Sequence, residues 1–404
     1  MTTATSKVLA QNGDSRLAAA GSLREPINGR LGAAYGQLMA VAAGMFEPSE
    51  LDRLAPRVHG AAANISRRNG HAHGSQSMNG FDPLAATEAI AYDFLAKGGK
   101  YSRPFITLAV YDAQIGGCAT QDDAGGCLTQ IPTPVKRCAL SIEAFHKASL
   151  VHDDIQDDDE FRYGCATLHR RFGTPTAINV GDYLIGLGYR LVSHERAALG
   201  ADAVGDILYH IADAHMKLSE GQGAELVWRD SHNKQLTPAD TLKIYALKTA
   251  PAFEAALHTG LRLAGPAAQY LEPIAQFARN LGIAFQIIND LNDWQGDDHN
   301  KLVAAGDVIR GRPTVLWASA MAGLRGEKRT QLEKLVSSGP LPERALAEVR
   351  DLFEEAGAFE QAGHLVGEHQ RRAEATADEI RPDALRQLLF YLIDVVLKRR
   401  HAAS

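Results

Sequence analysis

Apolar residues recur at i, i+3 and i+4 along most of this chain, and that spacing predicts helices. It is clearest over residues 105–115, 135–151, 175–192, 201–221, 238–263 and 269–293. Upstream, 29–43, 49–58 and 82–95 read the same way, and downstream so do 327–337, 342–356 and 382–398. Thr237 followed by Pro238 reads as an N-cap and a first-turn proline. No run alternates as a half-buried strand does. The expectation is an all-α fold, one large helical bundle with its site in a central cavity. Residues 1–27 are small and polar and read as a disordered extension ahead of one helical domain over 28–404. Within that domain, 60–80 is rich in Gly, Ser, His and Asn and reads as a flexible loop or insertion. Residues 116–134 read as an elongated connection between helices.

Composition narrows the class. With 404 residues, 45% hydrophobic and 22% charged, the chain has the makeup of a soluble globular protein. A net charge of −6 without a Lys/Arg tract argues against nucleic acid as a partner. The four cysteines (118, 127, 138, 165) form no CxxC pair, so free thiols and a cytoplasmic location are expected. No 18-residue apolar run predicts a membrane span.

The candidate chemistry lies at the ends of two predicted helices. Asp153, Asp154 and Asp157 form a DDxxD set at the end of the apolar run 138–151. If the helix continues, Asp153 and Asp157 share one face, one turn apart. Two carboxylates so placed repel, and a cation between them relieves the repulsion. Oxygen ligands on a helix suit Mg²⁺, which takes one or two carboxylates plus substrate phosphates. Downstream, Gln286, Asn289, Asp290 and Asp293 fall at i, i+3, i+4 and i+7, again on one helical stripe leaving an apolar segment. Asp153, Asp157 and Asp290 are the leading ligand candidates, followed by Asp154, Asn289 and Asp293.

Two aspartate-rich motifs in this order resemble the trans-isoprenyl diphosphate synthase (polyprenyl synthetase) family. Other segments resemble that family's motifs in the expected order: Gly98-Gly-Lys-Tyr-Ser-Arg-Pro104, His146 seven residues before Asp153, Lys248-Thr249, and Gly306-Asp-Val-Ile-Arg-Gly-Arg-Pro-Thr314. The resemblance runs from about Gly98 to the C-terminus. It implies the isoprenoid synthase type of bundle, Mg²⁺ as cofactor and a homodimer. It also implies that Arg162, Lys248 and Lys301 grip an allylic prenyl diphosphate, with Thr249 and Gln286 beside it. Lys100, Arg103 and His146 would hold the isopentenyl diphosphate. Residues four and five before Asp153, Ser149 and Ala148, would face the prenyl tail. Both are small, which permits a tail beyond C15, and Phe145 one turn further could floor the pocket near C20.

The departures bear on the acceptor. The family's paired arginines stand here as Arg162-Tyr163, so the second is lost. Position 101 is Tyr instead of a basic residue, and the second motif reads NDxxD. The expected activity is condensation of an allylic diphosphate with isopentenyl diphosphate to C15–C20 products. Alternatives are the same ionisation with an indole-type aromatic acceptor, or with none, as in a cyclase. A third reading is a non-catalytic partner subunit, disfavoured by the complete first motif.

Overall fold

The apolar run that precedes Asp153 folds as the central helix of the molecule, and most of the bundle can be placed relative to it. The computed structural model describes residues 29–59, 82–117, 131–231, 236–294, 305–337 and 343–397. The expectations for 1–27 and 60–80, and the Lys301 assignment, lie outside these residues, as do Cys118 and Cys127.

Three helices precede the first motif's helix partners: α1 (Gly29–Gly44), α2 (Pro48–Leu54) and α3 (Ala86–Ala96). Then come α4 (Ser102–Gln114) and the central α5 (Thr133–Gln156). A two-residue hairpin, β1 (Phe161–Arg162) and β2 (Cys165–Ala166), follows, with Arg162 paired to Cys165. The chain continues through α6 (Leu168–Phe172), α7 (Thr174–Ser193), α8 (Arg196–Leu199) and α9 (Ala201–Asp230). Next are α10 (Pro238–Lys248), α11 (Ala250–Ala264), α12 (Leu271–Asp293), α13 (Gly306–Ile309) and α14 (Val315–Gly323). The last are α15 (Gly326–Ser337), α16 (Glu343–Glu355), α17 (Ala358–Glu379) and α18 (Asp383–Val396).

The all-α expectation holds. Helix α5 buries Val135, Cys138, Ile142, Ala148 and Val151 and packs against α4 and α7. Helix α11 packs against α4, α9 and α12, and α12 lies against α17, which closes the bundle. On α12, Ile274, Phe277, Leu281, Ala284 and Ile288 are buried at helical spacing. Each of the larger side chains (Ile274, Phe277, Leu281, Ile288) contributes about 2 kcal/mol by leaving water, and Ala284 less. Among the described residues no helix is long and apolar enough to cross a membrane.

Three local differences from expectation matter for the site. The stretch 238–263 is two helices, not one. Pro251 has no N–H to give, and its ring would meet the Leu247 carbonyl, so the chain breaks at Thr249 (φ −126°, ψ −46°). Helix α9 runs through Gly221 and Gly223 to Asp230. A Cβ on Gly221 would lie 2.6 Å from the Lys248 amide, so glycine lets the end of α10 lie directly on α9. Helix α17 escaped the periodicity reading because its buried stripe (Ala358, Ala362, Val366, His369, Ala373, Ala377) is mostly alanine.

Candidate active site

Helix α5 ends at Gln156, and Asp157 caps it, its amide donating 2.8 Å to the Asp153 carbonyl. Asp153 and Asp157 therefore sit one turn apart, as expected. Asp153 faces a cavity of about 470 Å³ between α5, α9 and α11. Burial pushes its carboxyl up to about 6, with Lys248 pulling down and Asp157 pushing up. A buried acid with a raised pKa and a like-charged neighbour is a group that gains from a cation. Asp157 is held by two arginines, Arg229 at 3.0 Å and Arg312 at 2.5 Å. Neither arginine was singled out from the sequence.

Asp154, expected as a metal ligand of second rank, is placed elsewhere. It is buried, and its Oδ1 accepts from Arg162 Nε at 2.9 Å and from the same guanidinium's Nη2. Arg162, expected on the allylic diphosphate, is thus tied to Asp154 and lies 3.5 Å from Asp159. The hairpin makes this possible: it turns the chain back after the motif so that Arg162 reaches under it.

The second motif is also placed differently from its spacing. Asp290 is buried at the junction of α10, α12 and α14. Its Oδ2 accepts from the Tyr245 hydroxyl and, at 3.2 Å, from the Val315 amide; Oδ1 faces Gln286 Nε2 at 3.5 Å. Burial, with Asp307 nearby, pushes its carboxyl well above the usual range. Asp290 is thus built into the packing, and its oxygens are committed within the protein. Asp293 is nearer solvent. Its Oδ2 accepts the Asp307 amide at 3.0 Å, and burial raises its pKa to about 6. Asn289 is half-buried on the same stripe. Arg312 links the first motif to the segment after the second: it pairs with Asp157 and, at 3.0 Å, with Asp307, whose amide donates to Asp293.

Lys248 lines the cavity and pairs with Glu225 at 2.8 Å. Glu225 lies one turn beyond Gly221, so the glycine contact on α9 is what brings the pair together. Glu225 Oε1 is buried without a hydrogen bond, with Arg312 Nε 3.9 Å away. Thr249 donates to Gln286 Oε1 at 3.3 Å, which holds Gln286 beside the break between α10 and α11.

Further along, the cavity is lined by Ser149, Phe145, His146 and Arg103. Phe145 stands edge-on to Tyr189 (centroids 4.8 Å) and against His215. Gly188 makes room for its ring, since a Cβ there would come within 2.6 Å. Ala148 is buried but does not line the cavity, contrary to the expectation for it. His146 is held neutral by burial and by Arg103, Lys147 and Arg162 around it. Lys100 is exposed.

Among the described residues, no three His, Cys, Asp or Glu side chains converge to hold a metal by themselves. The donor set fits a divalent ion of the kind that shares its shell with a substrate's phosphates. Asp153 presents a desolvated carboxylate facing the cavity, and Glu225 a buried oxygen that accepts no hydrogen bond.

The polyprenyl synthetase family model matches residues 85–354. The short chain isoprenyl diphosphate synthase of Methanothermobacter thermautotrophicus is 29% identical over 76% of this chain and 88% of its own length. The geranylfarnesyl diphosphate synthase of Aeropyrum pernix is 29% identical over 75% of the chain and 91% of the relative. In fold, the chain is similar to the crystal structure of geranylgeranyl pyrophosphate synthase from Corynebacterium glutamicum, complexed with isoprenyl diphosphate and magnesium. That likeness has a TM-score of 0.69 at 22% identity and covers 91% of this chain and 99% of that one. With its helices, its two acidic segments and its cavity in this arrangement, the chain belongs to the polyprenyl synthetase family and is a prenyltransferase of the isoprenyl diphosphate synthase type.

Proposed function

We propose that this enzyme is Mg²⁺-dependent, ionises an allylic prenyl diphosphate and condenses it with isopentenyl diphosphate to a C15–C20 prenyl diphosphate. The observation that carries this reading is the cavity: Asp153 and Lys248 line it together with small Ser149 and the ring of Phe145. A bound divalent cation supplies neutralisation of the charge that develops on the departing diphosphate. Asp153 and Asp157, together with Asn289 and Asp293 of the second acidic segment, are the residues to hold it. Lys248 adds a fixed positive charge near the same oxygens. The apolar wall excludes water from the allylic cation, so the acceptor π-bond and not solvent captures it. Gln286 is held through Thr249, next to Lys248 at the break between α10 and α11. The cytoplasm and a homodimeric state complete the proposal, in keeping with the cysteine usage and with the resemblance.

The test is one incubation with Mg²⁺ and an allylic diphosphate, with and without isopentenyl diphosphate, read by mass spectrometry. Products longer by C5 units, formed only with isopentenyl diphosphate, support the reading. Pyrophosphate release without elongation sinks it and favours another acceptor or a cyclase. One observation keeps the aromatic-acceptor reading in the test: the Tyr163 ring is 36% exposed where the family carries an arginine. Indole compounds are the acceptors to add in that case.

Tail length gives a separate prediction. Ser149 Oγ donates to the His146 carbonyl at 2.8 Å, and the side chain borders the cavity. Ser149→Phe is expected to shorten the main product by at least one C5 unit. An unchanged product distribution would remove Ser149 from the tail wall.

A further inference from the structure

One buried cation is not used by the mechanism above. Lys147 follows His146 on α5 and is fully buried. Its ammonium donates to the carbonyls of Lys97 and Gly98, the latter at 2.8 Å. It lies 4.1 Å from the centroid of the Tyr163 ring and 5.3 Å from that of Phe94. Taking an ammonium out of water is costly, and carbonyls and ring faces return only part of that cost. Glu143, one turn earlier, is the buried acid nearby. Burial lowers the pKa of the lysine and raises that of the glutamate, so neither charge is held at ease.

The surroundings are interlocked. Tyr163 sits at φ +54° in the hairpin turn, a strained value for an aromatic residue. A Cβ on Gly98 would lie 2.5 Å from its ring, so glycine at 98 is what admits the ring. Hairpin, ring, ammonium and the 97–99 backbone thus form one unit. Beside it, Arg103 lines the cavity with its Nε buried and without a partner. Arg162 is matched by Asp154. Among the described residues, that leaves Glu143 as the acid acting on both Arg103 and Lys147, a corner with surplus positive charge and a donor without a hydrogen bond. Such a corner is arranged for an anion.

We propose that Lys147 is a positioning residue for the acceptor's diphosphate: its buried charge, stacked beneath Tyr163, replaces at this corner the charge that residue 163 does not carry, and it holds the Lys97–Gly98 backbone in place. The inference rests on isopentenyl diphosphate being the acceptor.

The test separates charge from backbone support. Lys147→Gln removes the charge but keeps a donor for the two carbonyls. It is expected to raise KM for isopentenyl diphosphate by about tenfold, with KM for the allylic diphosphate within about twofold of wild type. Adding Tyr163→Arg to this variant returns a cation to the same corner, and the double variant is expected to recover KM for isopentenyl diphosphate to within about threefold of wild type. Melting temperature is followed in parallel, and Lys147→Arg, which keeps the charge, is expected to keep the low KM. The inference is overturned if Lys147→Gln leaves KM for isopentenyl diphosphate unchanged, raises both KM values alike, or is not recovered in the double variant. A wild-type enzyme that fails to elongate with isopentenyl diphosphate removes the underlying reading itself. Wild-type elongation with an unaffected Lys147→Gln removes only this inference.

Discussion

Asp153→Ala is expected to lower kcat by about 10³-fold or more, while the melting temperature holds or rises. The side chain faces the cavity, and burial already pushes its pKa to about 6, so the folded protein gains little from this carboxylate itself. Removing it relieves the repulsion with Asp157 and with Glu225, both of which raise its pKa. What is lost is a ligand for the cation that neutralises the leaving diphosphate, worth about 4 kcal/mol in the transition state. Single-turnover rates at saturating Mg²⁺, alongside thermal melts, check both halves. A variant with wild-type kcat would overturn the placement of the metal on this face of α5. Asp153→Asn, which keeps the shape, is expected to behave as the alanine variant does, because charge and not volume is what the ion requires.

Asp290→Ala is expected to act chiefly on stability. Its removal takes the acceptor from the Tyr245 hydroxyl in a buried site, at about 1–3 kcal/mol, while the Val315 amide keeps the Tyr245 oxygen at 2.7 Å. A fall of about 2 kcal/mol in unfolding free energy follows, measured by denaturant titration at constant m-value. The informative partner is Asp290→Asn. The amide oxygen can keep the bonds from Tyr245 and Val315, and its NH₂ can face Gln286 after that amide turns over. Burial pushes the Asp290 carboxyl well above the usual range, which favours its neutral form, and the neutral amide has nearly the same shape. Asp290→Asn is therefore expected to keep most of the turnover and stability. Loss of turnover with unchanged stability would return Asp290 to the metal ligands that its spacing suggested.

These two variants mark the boundary between what periodicity reveals and what contact decides. Helical spacing put Asp153 and Asp157 one turn apart at the end of α5, and Asn289, Asp290 and Asp293 in the last turns of α12. It did so because a helix repeats every 3.6 residues wherever it is packed. It could not say which acid on a stripe meets solvent and which meets a neighbour. Asp290 is buried because Tyr245, 45 residues earlier, and the start of α14 come to it. Asp157 meets Arg312, 155 residues later. The hairpin 161–166 was missed because four paired residues are too few to show an alternating pattern.

The sequence by itself therefore determined the all-α class, the position of most helices, the family resemblance and the two acidic segments. Those follow from local periodicity and from short motifs that can be read in order. The tertiary structure alone decided that Asp154 answers Arg162, that Glu225 answers Lys248 and that Lys147 lies beneath Tyr163. It also decided that Ala148 stays out of the cavity that Ser149 and Phe145 share. Each of these is a matter of which remote element lies against a given face. Burial then sets the strength of every charge there, because a low-dielectric contact outweighs what the residue type alone would suggest.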